Sequence, residues 1–534
     1  MPPPSFFDIP ELVYHTLTYL DKRSLLSFAL ASRHCHQQSS SLLARKLTSR
    51  AAQLLPEPPA TENHPLSLPP LTRLHHFKCD LLVHNTFPGQ LPVPEFRWQD
   101  LVLQTCWLLQ LNRHLTSVVI DRMTIRTAGE WNRLSQALAG LEKLSELVVG
   151  PLPIVNEENG GHLLRLFFDS LPVSLTSLTI SQVWSGMQDE SDDVWQQRRG
   201  NLTNLRSLGL DCPEYFTIPF LRYILERCPV LEKLEILKDT VGRAGATATE
   251  LARSISSNCP ALDQVYVAKA YEPTGSHNGV MTILTSLSQQ PLRAICLDRL
   301  EGARPNRSTR KTLKQHRAIL QDIRLLDCRD IEKRTYMRLF TKCNALERLE
   351  IKLGEMSAGG LRIRHLVRKD WICQSLTYLE IPIEAPAFQD ASYTRYFRRK
   401  FSPVRADLKE WQGWIGFYWR LGHLRWLRTL NLRRSGNETL PAMLALGNIQ
   451  KEELGYLQLL RNLKELRELR GPFHLTLPEV AASFGKKEVM WMLRNWPNLR
   501  MIELLRPEES VDECLERFPQ LAQLVEAKPW LELY

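Results

Sequence analysis

The sequence is poor in the features that announce chemistry or membranes. No apolar run approaches the roughly 18 residues needed to span a bilayer, so no membrane partner is expected. The start, Met1-Pro2-Pro3-Pro4, lacks the charged-then-apolar layout of a secretory leader. There is no Gly-rich phosphate loop: Gly242-Arg243-Ala244-Gly245 is not followed by Lys-Ser/Thr. Neither His-Glu-x-x-His nor Gly-x-Ser-x-Gly occurs, and no serine, histidine or acid sits in a nucleophile–base context. The 11 cysteines are odd in number and include no Cys-x-x-Cys pair, which argues against a zinc site and for a reducing compartment, cytoplasm and/or nucleus. His34-Cys35-His36 offers adjacent donors, but neighbours on a helix point about 100° apart and cannot converge on one ion. The expectation is a protein with no catalytic site, no cofactor and no metal.

What the chain has is a repeat. Cys228-Pro229-Val230-Leu231-Glu232-Lys233-Leu234-Glu235-Ile236 returns as Cys259 to Val267, as Cys343 to Ile351 and as Cys373 to Ile381. Each copy places a cysteine three residues before a Leu-x-x-Leu-x-Leu-type run. The thiols read as small buried hydrophobes at helix ends. Taking the second apolar residue of each run as a marker gives Val118, Leu147, Leu178, Leu208, Leu234, Val265, Ile295, Ile323, Leu349 and Leu379, then Leu430, Leu469 and Ile502. Up to Leu379 the steps are 29, 31, 30, 26, 31, 30, 28, 26 and 30 residues, the signature of long leucine-rich repeats. Leu521 to Glu526 reads as a short terminal unit.

The two periods explain the fold. Alternating apolar residues make a short strand with one face inward. The remaining residues return through an amphipathic helix such as Phe220–Arg227, with Phe220, Ile224 and Leu225 on one face and Arg222, Glu226 and Arg227 elsewhere. One repeat cannot bury its own face, so stacking completes the core. The expected class is α/β: parallel strands on the concave side and helices on the convex side, over residues 96–534, with a first confident helix from Phe96 to Leu111. Before it, residues 51–95 read as a Pro-rich linker plus a degenerate first strand at Leu74 to Cys79.

Residues 1–50 read as three short helices. Asp8 caps the first, with Pro10 in its first turn and Glu11 three residues on. Leu12, Val13, Leu17 and Leu20 follow; Leu25, Leu26, Phe28, Ala29 and Leu30 form the second helix; Leu42, Leu43 and Leu47 lie in a third, from about His36 to Arg50. So small a unit cannot hide this apolar surface alone. Phe7-x-Ile9-Pro10-Glu11-Leu12, Leu17-x-x-Leu20, Leu25-Leu26 and Ala31-Ser32-Arg33 resemble an F-box over residues 6–46, although the tryptophan usual near the end of that motif is Cys35 here. The resemblance implies docking to a Skp-type adaptor of a cullin-RING ubiquitin ligase through Phe7, Ile9, Pro10, Glu11, Leu12, Leu17, Leu20, Leu25, Leu26 and Phe28. With the repeats it extends to the F-box/leucine-rich-repeat proteins of fungal type, which implies a non-catalytic substrate receptor. The same helices would also serve as a cap for the array, giving an interaction scaffold outside any ligase.

Two features bear on the partner. The rhythm breaks between Leu379 and Leu430, a step of 51, where a basic and aromatic insertion is expected at about 382–420. Residues 393–434 carry eleven Arg or Lys, Arg398, Arg399 and Lys400 among them, against Asp407 and Glu410. A second basic run spans Arg299 to Arg317. Basic residues interleaved with aromatics can bind nucleic acid; they can equally be a solvated face with aromatics packed on the solenoid. The second feature is the row of residues between the inward apolar pairs: Glu235, Tyr266, Cys296, Arg324, Glu350, Glu380, Asn431 and Glu503, with Lys352 and Arg433 two places beyond. Its mixed charge favours a folded target protein over a polyanion.

Overall fold

The computed structural model describes residues 46–48, 76–80, 98–121, 125, 127–150, 160–181, 202–211, 218–238, 245–268, 284, 287, 290–299, 305–328, 333–352, 360–384, 405–434, 444–446, 455–471, 484–504 and 510–533. The chain divides into two compact units, Met1–Val241 with Ala246–Leu262, and Gly242–Gly245 with Asp263–Tyr534. Each is a parallel, leucine-rich-repeat-like stack.

In the first unit the strands are β1 (Lys46–Thr48), β2 (His76–Asp80), β3 (Ser117–Asp121), β4 (Glu146–Val149), β5 (Ser177–Ile180), β6 (Ser207–Asp211) and β7 (Lys233–Lys238). Each pairs in parallel with the next. The register joins Phe77, Val118, Leu147, Leu178, Leu208 and Leu234 in one row, as the repeat spacing requires. Val118, Leu147, Leu178 and Leu208 are fully buried. Among the returning helices, Ala128–Ala139 shows its local cause clearly. Thr127 caps it, Glu130 N–H donating to Thr127 Oγ1 at 3.2 Å and Thr127 N–H donating to Glu130 Oε2 at 3.1 Å. Trp131, Leu134 and Leu138 then recur at three and four residues and are buried.

Two expectations need correction in this unit. Leu47 was expected on a third helix, yet Lys46–Thr48 is a strand paired with β2, so the ladder begins earlier than the linker reading allowed. Three residues of Leu-Leu-x-x-x-Leu spacing cannot separate helix from strand, and an adjacent open edge at β2 decides it. Arg227, expected outside, is 5% exposed. It lies 2.9 Å from Asp169 and its guanidinium carbon sits 3.4 Å from the Tyr223 ring centroid. Tyr223 in turn donates to Asp169 at 2.7 Å. Burial lowers the Arg227 pKa to about 10 even with Asp169 beside it.

In the second unit the strands are β8 (Gln264–Ala268), β9 (Ala294–Asp298), β10 (Asp322–Leu326), β11 (Arg348–Lys352), β12 (Leu361–Arg362), β13 (Tyr378–Glu384), β14 (Thr429–Arg434), β15 (Glu468–Arg470), β16 (Met501–Ile502) and β17 (Glu532–Leu533). The parallel register joins Val265, Ile295, Ile323, Leu349, Leu379, Leu430, Leu469 and Ile502, every marker in turn. The final strand is β17, with Leu533 opposite Ile502. Leu521–Glu526, expected to be a terminal strand unit, belongs to the helix Pro519–Ala527. The Leu521–Leu524 spacing of three fits a helix as well as a Leu-x-x-Leu run, and Pro519 opens the helix at its first turn.

Residues Arg405–Gly422 are the returning helix of their repeat, so positions 405–420 of the expected insertion at 382–420 are regular structure, and 385–404 lie outside the described residues. Trp414, Phe417 and Tyr418 are buried in it, stacking onward to Tyr456 at 4.8 Å and, through Trp371, to Phe340 at 4.5 Å. Gly422 is required here: a Cβ would collide with the Leu459 carbonyl oxygen of the adjoining 3-10 turn. Arg398, Arg399 and Lys400 lie outside the described residues, as do all ten adaptor-docking candidates from Phe7 to Phe28.

Candidate interaction surface

The outward residues of β10, β11 and β13 form one electrostatic network. Parallel strands lie about 4.8 Å apart, so the central residues Arg324, Glu350 and Glu380 are direct neighbours. The residues two places earlier, Asp322, Arg348 and Tyr378, share their face. Arg324 pairs with Asp322 at 2.8 Å, and Arg348 with Glu350 at 2.7 Å and with Asp322 at 3.9 Å. Lys352 donates to Glu350 and lies 3.8 Å from Glu380. Tyr378 donates to Glu380 at 2.6 Å while Arg348 stacks over its ring at 3.9 Å.

Several members of the outward row are closed off from solvent. Glu350 is 4% exposed and Glu380 1%; Cys296 and Asn431 are buried as well. The long side chains of Arg348, Tyr378 and Lys352 cover the carboxylates, which is why the row is closed although its backbone faces outward. Tyr266, Arg324, Lys352, Glu235 and Glu503 are half-buried. Glu235 pairs with Lys233, and Glu503 accepts from the Gly471 N–H at 3.2 Å. Arg433 lies on β14 opposite Pro382.

The electrostatics are those of a self-compensated plate. Burial would raise the Glu350 carboxyl, but hydrogen bonds from Lys352 and Arg348 outweigh it and hold the group below the ordinary glutamate range. Burial, then the bond to Glu380, pushes the Tyr378 phenol up. The bond to Asp322 holds the Arg324 guanidinium above its usual value. Three cations face three carboxylates, so this part of the sheet presents shape and hydrogen-bonding edges rather than net charge.

The residues missed by sequence reasoning are Asp322, Arg348 and Tyr378. The signal was available, since positions two apart on a strand share a face. The repeat cysteines behave as expected. Cys228, Cys259, Cys343 and Cys373 are buried, and the Cys228 thiol donates to the Ile224 carbonyl at 3.2 Å. Burial pushes the Cys259 thiol up to about 12 and the Cys343 thiol, beside Arg317, up to about 11. Neither is a thiolate at neutral pH.

Among the described residues no group of His, Cys, Asp or Glu is placed to hold a metal ion, and no helix is long and apolar enough to cross a membrane. No family model matches the chain and no curated protein sequence matches it. Among solved structures, the crystal structure of Rad7 and Elc1 complex in yeast is similar over 98% of this chain and 92% of that chain, at 11% identity and a TM-score of 0.34.

Proposed function

We propose that the chain is the non-catalytic substrate-recognition subunit of a cullin-RING ubiquitin ligase, working in cytoplasm, nucleus or both. Residues 6–46 dock on a Skp-type adaptor, and the repeat stacks hold a target protein. The observation that carries the target-binding half is the unbroken marker register from Val265 to Ile502, which sets a rigid, charge-balanced face across successive strands. A face of that kind suits a folded protein better than a small substrate. The adaptor half rests on the F-box resemblance. Affinity capture with the full chain and with residues 6–46 deleted tests both halves: adaptor peptides vanish on deletion while other partners stay. Failure of the full chain to retain the adaptor, beside a control F-box that does, refutes the ligase role.

The pairing of β1 with β2 favours one alternative. Because the strand at Lys46–Thr48 follows directly on the F-box-like segment, that segment is placed in sequence to cap the first stack, as a scaffold outside any ligase would need. Removing residues 1–45 then lowers the melting temperature of the remaining chain instead of only uncoupling a partner. The nucleic-acid reading loses three of its stacking aromatics, since Trp414, Phe417 and Tyr418 are core residues, and keeps the exposed Trp419.

A further inference from the structure

Beside the self-compensated plate, one edge of the second unit keeps its charges free. The position just before each strand forms a column, held by backbone hydrogen bonds that pass from strand to strand. Thr377 N–H donates to Glu347 O, Arg428 to Thr377, and Arg467 to Arg428, each at 2.7 Å, and Arg500 donates to Arg467 at 2.8 Å; on the last strand the matching position is Leu531, because Glu532 pairs with Met501. Three arginines therefore stand on consecutive strands, Arg428, Arg467 and Arg500. Arg428 and Arg500 are exposed and Arg467 is half-buried. None has a carboxylate within ion-pairing distance among the described residues, and Arg467 Nε is buried without a hydrogen-bond partner there. This contrasts with Arg324, Arg348 and Arg470, each of which is paired.

Aromatic surface flanks the column. Two places before Arg428 stands Trp426, 62% exposed, and one place before Leu531 stands Trp530, 59% exposed. Trp426 and Arg428 line one shallow depression with Glu347, Ser375 and Thr377. Exposed tryptophan beside unpaired arginine is the pairing enriched in binding hot spots.

The ends of the column choose the partner. At about 4.8 Å per strand, the arginines span about 10 Å; the column carries Glu347 before them and the apolar Leu531 after them. A nucleic-acid strand carries negative charge at every unit and would run onto the Glu347 carboxylate at one end and meet no further cation of the column at the other. An extended peptide rises about 3.3 Å per residue, so about 10 Å corresponds to three residues, after which its charge can end. We infer that this edge is a docking strip for a short acidic segment of a partner protein, two or three carboxylates on the arginine column and an apolar side chain against Trp426.

The inference does not depend on adaptor binding by residues 6–46, and its test uses no adaptor. The full chain is titrated into a fluorescein-labelled peptide containing phenylalanine followed by three glutamates, and anisotropy is read. Comparators are the same peptide with glutamines and an oligothymidylate competitor. Arg428→Gln with Arg500→Gln is expected to weaken binding about tenfold without a shift in melting temperature, since both sites are exposed. Trp426→Ala weakens it about fivefold. Arg222→Gln with Arg253→Gln, exposed arginines of the first unit, removes the same charge and leaves binding within about twofold. The inference is overturned if the glutamate peptide fails to bind or binds no better than the glutamine one. Equal weakening by the control pair, or displacement by oligothymidylate at matched charge, overturns it too, the latter in favour of a polyanion site.

Discussion

Replacing Glu350 by glutamine removes one negative charge from the centre of the β10–β13 plate. The carboxylate is 4% exposed and accepts from Arg348 at 2.7 Å and from Lys352. At an effective dielectric near 20, each such contact is worth about 4–6 kcal/mol of gross attraction. Taking the carboxylate out of water costs several kcal/mol in return. After substitution the two cations, 32% and 35% exposed, regain solvent, which limits the penalty. The expected net loss is about 2 kcal/mol. Hydrogen–deuterium exchange on the full chain localises it: amides of 348–352 and 378–384 exchange roughly thirtyfold faster than in the parent, with 207–211 in the first unit unchanged.

The effect must also depend on pH, with a defined sign. The folded Glu350 carboxyl titrates below its ordinary value, so the unfolded chain binds the proton more readily than the folded one. Its stabilisation is complete above the unfolded pKa, about 4.3, and is lost as pH falls through the lower folded value. The ratio of variant to parent exchange, which cancels the intrinsic pH dependence of the chemistry, therefore shrinks toward one in acid. A ratio near one at neutral pH, or one that holds constant into acid, refutes the reasoning.

Arg227→Ala strips the buried partner from Asp169 and the cation from the Tyr223 face, and is expected to cost about 2–4 kcal/mol in urea unfolding. Arg227→Lys recovers only part of that, because an ammonium cannot stack as the planar guanidinium does. Brief alkylation of native protein at pH 8, mapped by mass spectrometry, leaves Cys228, Cys259, Cys343 and Cys373 unlabelled, burial having raised all four thiols. Lys528 is 4% exposed and its ammonium donates to the carbonyls of Trp496 at 2.7 Å and Pro497 at 2.8 Å. Lys528→Met leaves the Pro497 carbonyl without its lysine donor and the Trp496 carbonyl with the Leu499 N–H alone, and peptides from 510–533 then exchange about tenfold faster, a loss of about 1.4 kcal/mol.

The inward half of the repeat was legible because its rule is steric. An apolar residue recurring every 26–31 places has one stacking solution, and the register of Leu349 with Leu379 and Leu430 follows from it. The returning helices were legible where apolar spacing ran three and four, as at Phe220 and Ile224. The ends of the array were not: Leu47 and Leu521 each sit in spacings that strand and helix both satisfy, and the choice falls to the neighbouring strand or the opening proline. The aromatic run at Trp414 to Trp419 looked like an accessory because its repeat is long, yet the same period of three and four marks Trp414, Phe417 and Tyr418 as core, leaving Trp419 exposed.

The outward row was the least legible part, and the reason bears on where recognition resides. Alternation says which way a backbone position points, but exposure depends on the side chains two residues away and one strand over. Where those are Arg348, Lys352 and Tyr378, they lie over Glu350 and Glu380 and neutralise them. A partner approaching that plate would have to compete with contacts already made, each between groups held by their own strands. At the position before the strand the neighbours are turn residues: Thr377, and on the following strands only further arginines until Leu531. Like charges on adjacent strands cannot satisfy one another, so Arg428, Arg467 and Arg500 repel at about 4.8 Å per step. Among the described residues no carboxylate relieves that repulsion, so an acidic partner held on the face of the sheet has further binding energy to gain at the turn edge.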